Sequence, residues 1–185
     1  SIDQKDVDAV VEALRAERIT QGPLVELFEQ KISDYVGSQH AIACNSATSG
    51  LFIAYKALGV GPGSMVWTST NTFVATSNAA LLLGADVEFI DIDAETWNIS
   101  VEQLEKKLRD HKAQGLQLPD VVTVVHFAGL PCDLMEIWNL SRTYGFVVLE
   151  DASHALGASY QNTKIGNCKF SHAAVFSFHP VKMIT

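Results

Sequence analysis

Short, continuous runs of Val, Ile and Leu recur along this chain, separated by segments of helical length, and that alternation leaves few folds open. Residues 65–68, 87–90, 121–126, 146–150 and 173–178 are apolar stretches of strand length, and residues 40–44 read as a further short strand. Between them, residues 47–58, 73–83, 100–113 and 134–144 read as helices, the third opened by the capping-box pattern Ser100-Val-Glu-Gln103. A strand that is apolar on both faces must be covered on both. Parallel neighbours need a crossover of about a dozen residues or more, which is what the helical segments supply. The expected fold is therefore α/β, a mostly parallel sheet with helices on both faces.

The first 36 residues break this rhythm. Val7, Val10, Val11 and Leu14 fall at helical spacing over residues 3–16. The polar stretch Glu17-Arg-Ile-Thr-Gln-Gly22 interrupts them, and Pro23 suits the first turn of a second helix that ends at Gly37. The chain thus divides into an N-terminal helical segment, 1–36, and an α/β domain, 37–185. Residues 113–119 read as a loop, and there is no internal repeat or low-complexity linker.

Composition removes several classes of function. A net charge of −8 argues against nucleic acid as a partner, and no apolar run approaches the length of a membrane span. Cys44, Cys132 and Cys168 are odd in number and lack metal-type spacing, which fits a reduced, cytoplasmic protein. His126, His154, His172 and His179 show no paired ligand spacing, so no metal site is expected.

In an open parallel sheet, ligands collect beyond the carboxyl ends of the strands, and four features of this sequence fall there. Asn45-Ser-Ala-Thr-Ser-Gly50 leads straight into a helix, and its Thr48 and Ser49 read equally as N-cap residues or as part of an anion cradle. Phe73 follows the strand at 65–68 and reads either as core or as a ring lying flat on a heteroaromatic ligand. Asp151 closes the run Phe146-Val-Val-Leu-Glu150, with His154 three residues on. That carboxylate either caps a loop or faces a ring nitrogen, and His154 braces it or stays structural. Past the last strand stand Ser177, an added donor for an anion, and then Lys182 after His179-Pro180. Proline ends the ladder there and turns the chain, placing the amine at the mouth of the sheet. Anion cradle, flat aromatic, carboxylate and lysine are together the contacts that pyridoxal 5′-phosphate (PLP) requires.

The segments Ile19-Thr-Gln-Gly22-Pro, Asn45-Ser-Ala-Thr-Ser49, Asn71-Thr-Phe-Val-Ala-Thr76, Phe89-Ile-Asp-Ile-Asp93, Glu150-Asp-Ala-Ser-His-Ala-Leu-Gly157 and Phe176-Ser-Phe-His-Pro-Val-Lys182 resemble, in this order, the DegT/DnrJ/EryC1/StrS family. Its members are fold-type-I, PLP-dependent aminotransferases of nucleotide-linked sugars. The resemblance implies Lys182 as the lysine that holds the cofactor and Asp151 as the partner of its ring nitrogen. It implies His154 beside the ring, Phe73 stacked on it, and Thr48, Ser49 and Ser177 at the phosphate. It also sets Arg18 and Thr20 near the sugar nucleotide, and it implies glutamate as amino donor and a homodimer. Family members continue past this lysine into a C-terminal small domain, so the chain is expected to represent the N-terminal large-domain part. Two other functions stay open on the residues: a related cofactor-dependent sugar dehydratase, whose members carry histidine in place of Lys182, and a non-catalytic module on the same fold.

Overall fold

A computed structural model describes residues 2–20 and 22–183. It separates into two compact units, residues 1–43 and 44–185.

The first unit holds two helices. Helix α1 (Gln4–Arg15) starts at Asp3, whose carboxylate accepts from the amides of Lys5 and Asp6 while Asp6 answers with its own side chain, a reciprocal cap. Its apolar residues Val7, Val10, Val11 and Leu14 face solvent. Helix α2 (Pro23–Val36) opens on proline and stops at Gly37, whose φ of 78° is a left-handed C-cap suited to glycine. Residues 40–44 are not a strand: they form no ladder, and Ile42 is 80% exposed. Apolar character had suggested one, but a strand exists only where a neighbouring backbone takes up its amides and carbonyls.

The second unit is built on five parallel strands, β1 (Met65–Ser69), β2 (Asp86–Ile90), β3 (Val121–Val125), β4 (Val147–Asp151) and, last in the chain, β7 (Ala173–Val175). They lie in the order β2-β1-β3-β4-β7. The helices between them are α3 (Ala47–Ala57), α4 (Ala75–Leu82), α5 (Val101–Gln114) and α6 (Leu134–Tyr144). Alternate strand residues feed two cores, one on each face. Val66, Val121 and Leu149 pack with Leu51 and Tyr55 of α3 and Ala75, Ala79 and Ala80 of α4. Trp67, Val122, Val124 and Val148 pack with Leu104 and Leu108 of α5 and Leu134 and Ile137 of α6. An antiparallel hairpin, β5 (Ser159–Tyr160) with β6 (Thr163–Lys164), sits between β4 and β7 and had left no periodic signal in so few residues.

The last strand ends three residues earlier than its apolar run. Its neighbour β4 ends at Asp151, paired with Val175, so residues 176–178 have no ladder to join. Helix α4 likewise begins two residues late, at Ala75, which leaves Phe73 in the preceding loop. Among the described residues no helix is long and apolar enough to cross a membrane.

Candidate active site

The chain leaves β1 towards β2 on one side and passes from β2 back over β1 to β3 on the other, so its direction reverses between β1 and β3. Such a switch point opens a crevice at the carboxyl edge of a parallel sheet. Parallel register delivers the loops after β1, β3, β4 and β7 to that edge together.

Asp151, the last residue of β4, is 4% exposed. Its Oδ2 accepts from Thr76 Oγ1 at 2.7 Å and its Oδ1 from the Ser153 amide at 3.2 Å. Among the described residues no cation lies within ion-pair distance of it. A buried carboxylate held by neutral donors alone keeps acceptor capacity that a cationic group can use. Its neighbourhood registers that charge. Burial pushes the Tyr55 phenol up, a hydrogen bond from Thr123 pulls it back, and the charge of Asp151 pushes it up again.

Lys182 is placed by a turn. Its amide donates to the His179 carbonyl at 2.8 Å, closing residues 179–182 around Pro180, which supplies the fixed φ of the second turn position. The half-buried side chain brings Nζ to 2.7 Å from His154 Nε2. His154 is carried on the loop after β4, and its ring meets Phe127 edge-on at 6.4 Å between centroids. Gly129, at φ 84°, lies so close under this loop that a Cβ would stand 2.8 Å from the His154 carbonyl. Burial holds the His154 imidazole below its ordinary pKa and the Lys182 charge adds to this, while Asp151 opposes both. Lys182 therefore meets His154 directly, and the charge of Asp151 acts on the same ring.

The lowered His154 sets a pH dependence. The unfolded chain takes up this proton at higher pH than the folded one, so the histidine costs nothing above about pH 6.5 and destabilises the fold as pH falls below that. Urea midpoints of the wild type are expected to fall between pH 7.5 and 5.5, and His154→Gln to show a smaller fall. An equal fall in both proteins would remove His154 as the cause.

The other expected site residues are distributed as follows. Phe73 stands 72% exposed after β1. The N-cap of α3 is Ser46, whose Oγ accepts the Ser49 amide at 3.1 Å and donates to the half-buried Ser49 hydroxyl at 3.1 Å, while Thr48 is exposed. This helix start abuts the end of β7, since a Cβ on Gly50 would lie 3.0 Å from Val175 Cγ1. Ser177 is half-buried and its Oγ accepts the His179 amide at 3.3 Å. Arg18 and Thr20 are exposed in the N-terminal unit, lining an open depression with Glu17 and Ile19. Sequence reasoning missed Thr76, Ser153 and Phe127. Thr76 is 75 residues from the acid it touches, and no local pattern signals such a pair.

The description "DegT/DnrJ/EryC1/StrS aminotransferase family" matches residues 1–185. The chain is 45% identical over 186 residues to the UDP-4-amino-4,6-dideoxy-N-acetyl-beta-L-altrosamine transaminase of Campylobacter jejuni, covering 100% of this chain and 47% of that protein. Among solved structures it resembles Helicobacter pylori PseC, an aminotransferase involved in the biosynthesis of pseudoaminic acid, with a TM-score of 0.89 and 34% identity over 100% of this chain and 48% of the other. It also resembles Spr1654 from Streptococcus pneumoniae in its PLP form, with a TM-score of 0.87 and 27% identity over 100% and 49% of the two chains. The chain spans about half the length of the curated relatives it matches.

Proposed function

The chain belongs to the DegT/DnrJ/EryC1/StrS aminotransferase family, and on that premise we propose that the protein moves an amino group from glutamate to a keto group of a nucleotide-linked sugar, using PLP. The sheet and its flanking helices are those of a fold-type-I large domain. The observation that carries the proposal is that the charges of Asp151 and Lys182 both act on His154: a buried carboxylate with no ion-pair partner among the described residues, and an amine 2.7 Å from that histidine. These residues fit a ligand with a basic ring nitrogen at one end and an aldehyde at the other.

When bound, the cofactor supplies a carbonyl that takes up the amino group and a protonated ring that accepts the electron pair released from a C–H bond. Asp151 would hold the proton on the ring nitrogen, since its carboxylate has no competing cation among the described residues. Phe73 would cover one face of the ring. The free amides at the start of α3, with the hydroxyls of Thr48, Ser49 and Ser177, would take the phosphate. Lys182 would bind the cofactor through Nζ and carry the proton between the substrate carbon and the carbonyl carbon. His154, biased to its neutral form, accepts from Nζ and steers it. The likeness to the Campylobacter jejuni transaminase supports a UDP-linked 4-keto-6-deoxy sugar as the acceptor, and Arg18 and Thr20 are proposed as contacts of the sugar nucleotide. A cytoplasmic homodimer completes the proposal, and the three free cysteines suit a reducing compartment.

Purified protein mixed with PLP is expected to develop an absorption band between the near-ultraviolet and the visible. Glutamate is expected to bleach that band, and the keto sugar nucleotide to restore it. Absence of the band would overturn the cofactor assignment. A band that glutamate leaves unchanged would overturn transamination.

A further inference from the structure

The acid at the end of β4 does not hold itself. Thr76, 0% exposed, gives its only proton to Asp151 Oδ2 at 2.7 Å. A hydroxyl has one proton, and an ionised carboxylate only accepts, so the direction of this bond is fixed. The Thr76 oxygen then accepts from Thr72 Oγ1, also at 2.7 Å. Thr72 immediately precedes Phe73, and the two hydroxyls join the loop that carries this aromatic to the acid. The backbone under Thr76 is pinned as well. Tyr55 OH, fully buried on α3, donates to the Thr76 carbonyl at 2.9 Å and meets Thr123 Oγ1 of β3 at 2.7 Å. With its one proton given to the carbonyl, Tyr55 receives from Thr123. Every polar side-chain atom of the chain Thr72–Thr76–Asp151, with Tyr55 and Thr123 behind it, has a partner, and a network satisfied in this way holds its members in one arrangement.

We infer that Thr76 is a positioning residue: its hydroxyl, backed by Thr72, sets the Asp151 carboxylate and the Phe73 loop in register, so that the group binding a ring nitrogen and the ring covering its face are fixed by one hydrogen-bonded chain. The inference rests on the cofactor assignment above. Removing the Thr76 donor leaves Oδ2 of a buried carboxylate unpartnered, and the acid then turns in search of another donor. Removing only the Thr72 donor frees the loop and leaves the acid held.

The test uses Thr76→Val, which keeps shape and loses the hydroxyl, Thr76→Ser, which keeps the hydroxyl, and Thr72→Val, at a half-buried position where folding is least at risk. Two readouts avoid turnover. One is the dissociation constant for PLP together with the 15N shift of its labelled ring nitrogen. The other is the 13C shift of the Asp151 carboxyl in protein without cofactor, assigned by its loss in Asp151→Asn. Thr76→Val is expected to weaken PLP binding roughly tenfold, the scale of one hydrogen bond to a charged group, and to move both shifts. Thr76→Ser is expected to restore both, and Thr72→Val to weaken binding by about two- to threefold with a smaller change at the carboxyl. If the wild type does not bind PLP, the proposed function fails, and the carboxyl shift alone still decides the inference. A carboxyl signal unmoved by Thr76→Val, or moved as far by Thr76→Ser, overturns it. Should Thr76→Val fail to fold, an unmoved carboxyl and unchanged PLP affinity in Thr72→Val would overturn it instead.

Discussion

Lys182→Ala is expected to abolish the PLP-dependent absorption band altogether and to lower transamination by roughly a thousandfold or more, the scale of the acid–base and anchoring roles proposed for it. The size of the effect follows from position. The turn closed by His179 and Lys182 delivers this amine to the sheet edge, and His154 meets it at 2.7 Å. Lys182→Arg is expected to fail equally. A guanidinium stays protonated throughout the working pH range and has no free electron pair to attack a carbonyl. Spectra of both variants with excess PLP check this directly. A band of wild-type height in Lys182→Ala would mean that another amine serves, and the assignment would collapse.

The largest effect on stability is expected on the opposite face of the same strand. Glu150 is 2% exposed, and its carboxylate accepts from Ser171 Oγ and from His126 Nε2, the latter at 2.8 Å. His126, itself 0% exposed, accepts the Cys132 amide at Nδ1. The ring proton therefore sits on Nε2 and points at Glu150, so the contact is a charge-assisted hydrogen bond rather than an ion pair. The same charge helps burial raise the Cys132 thiol pKa. Glu150→Ala removes two bonds, strands two buried donors and opens a void, for an expected cost of about 3 to 5 kcal/mol. Against a typical total of about 5 to 15 kcal/mol, that loss threatens the fold itself. Glu150→Gln keeps the volume and one acceptor, and the Ser171 hydroxyl can rotate to receive its amide, so its cost is expected at about 1 to 2 kcal/mol. Urea unfolding of the pair measures the difference. Equal costs would show that the carboxylate is not held as described.

These two residues also show how far the linear chain could be read. Lys182 was marked by an apolar run ending in His-Pro, and Asp151 by its place at the end of a Val/Leu stretch, because strand ends are local events. Glu150 and Asp151 are adjacent in sequence, yet their side chains enter different faces. One meets His126 and Ser171, the other Thr76. Alternation along a strand predicts the division, but not which hydroxyl or imidazole waits on each side. The apolar stretch 40–44 failed as a strand for a related reason: hydrophobicity can be counted along a chain, whereas a ladder needs a second chain segment beside it. The sequence leaves Phe73 open between core and ligand contact, and only its 72% exposure separates it from the core.

By itself, the order of residues determined the α/β class, the parallel sheet with helices on both faces, and the strand ends, helix start and loops that carry Thr48, Phe73, Asp151, His154, Ser177 and Lys182. Periodicity, caps and turn residues act over a few positions and are written in the chain. Tertiary structure alone decided that His154 meets the amine of Lys182, that Thr76 holds the acid, and that His126 and Glu150 lock the face beneath. Those contacts join residues 24 to 75 positions apart. Only the packing of parallel strands in register, which converts distance along the chain into adjacency at one edge, brings them within reach of a hydrogen bond.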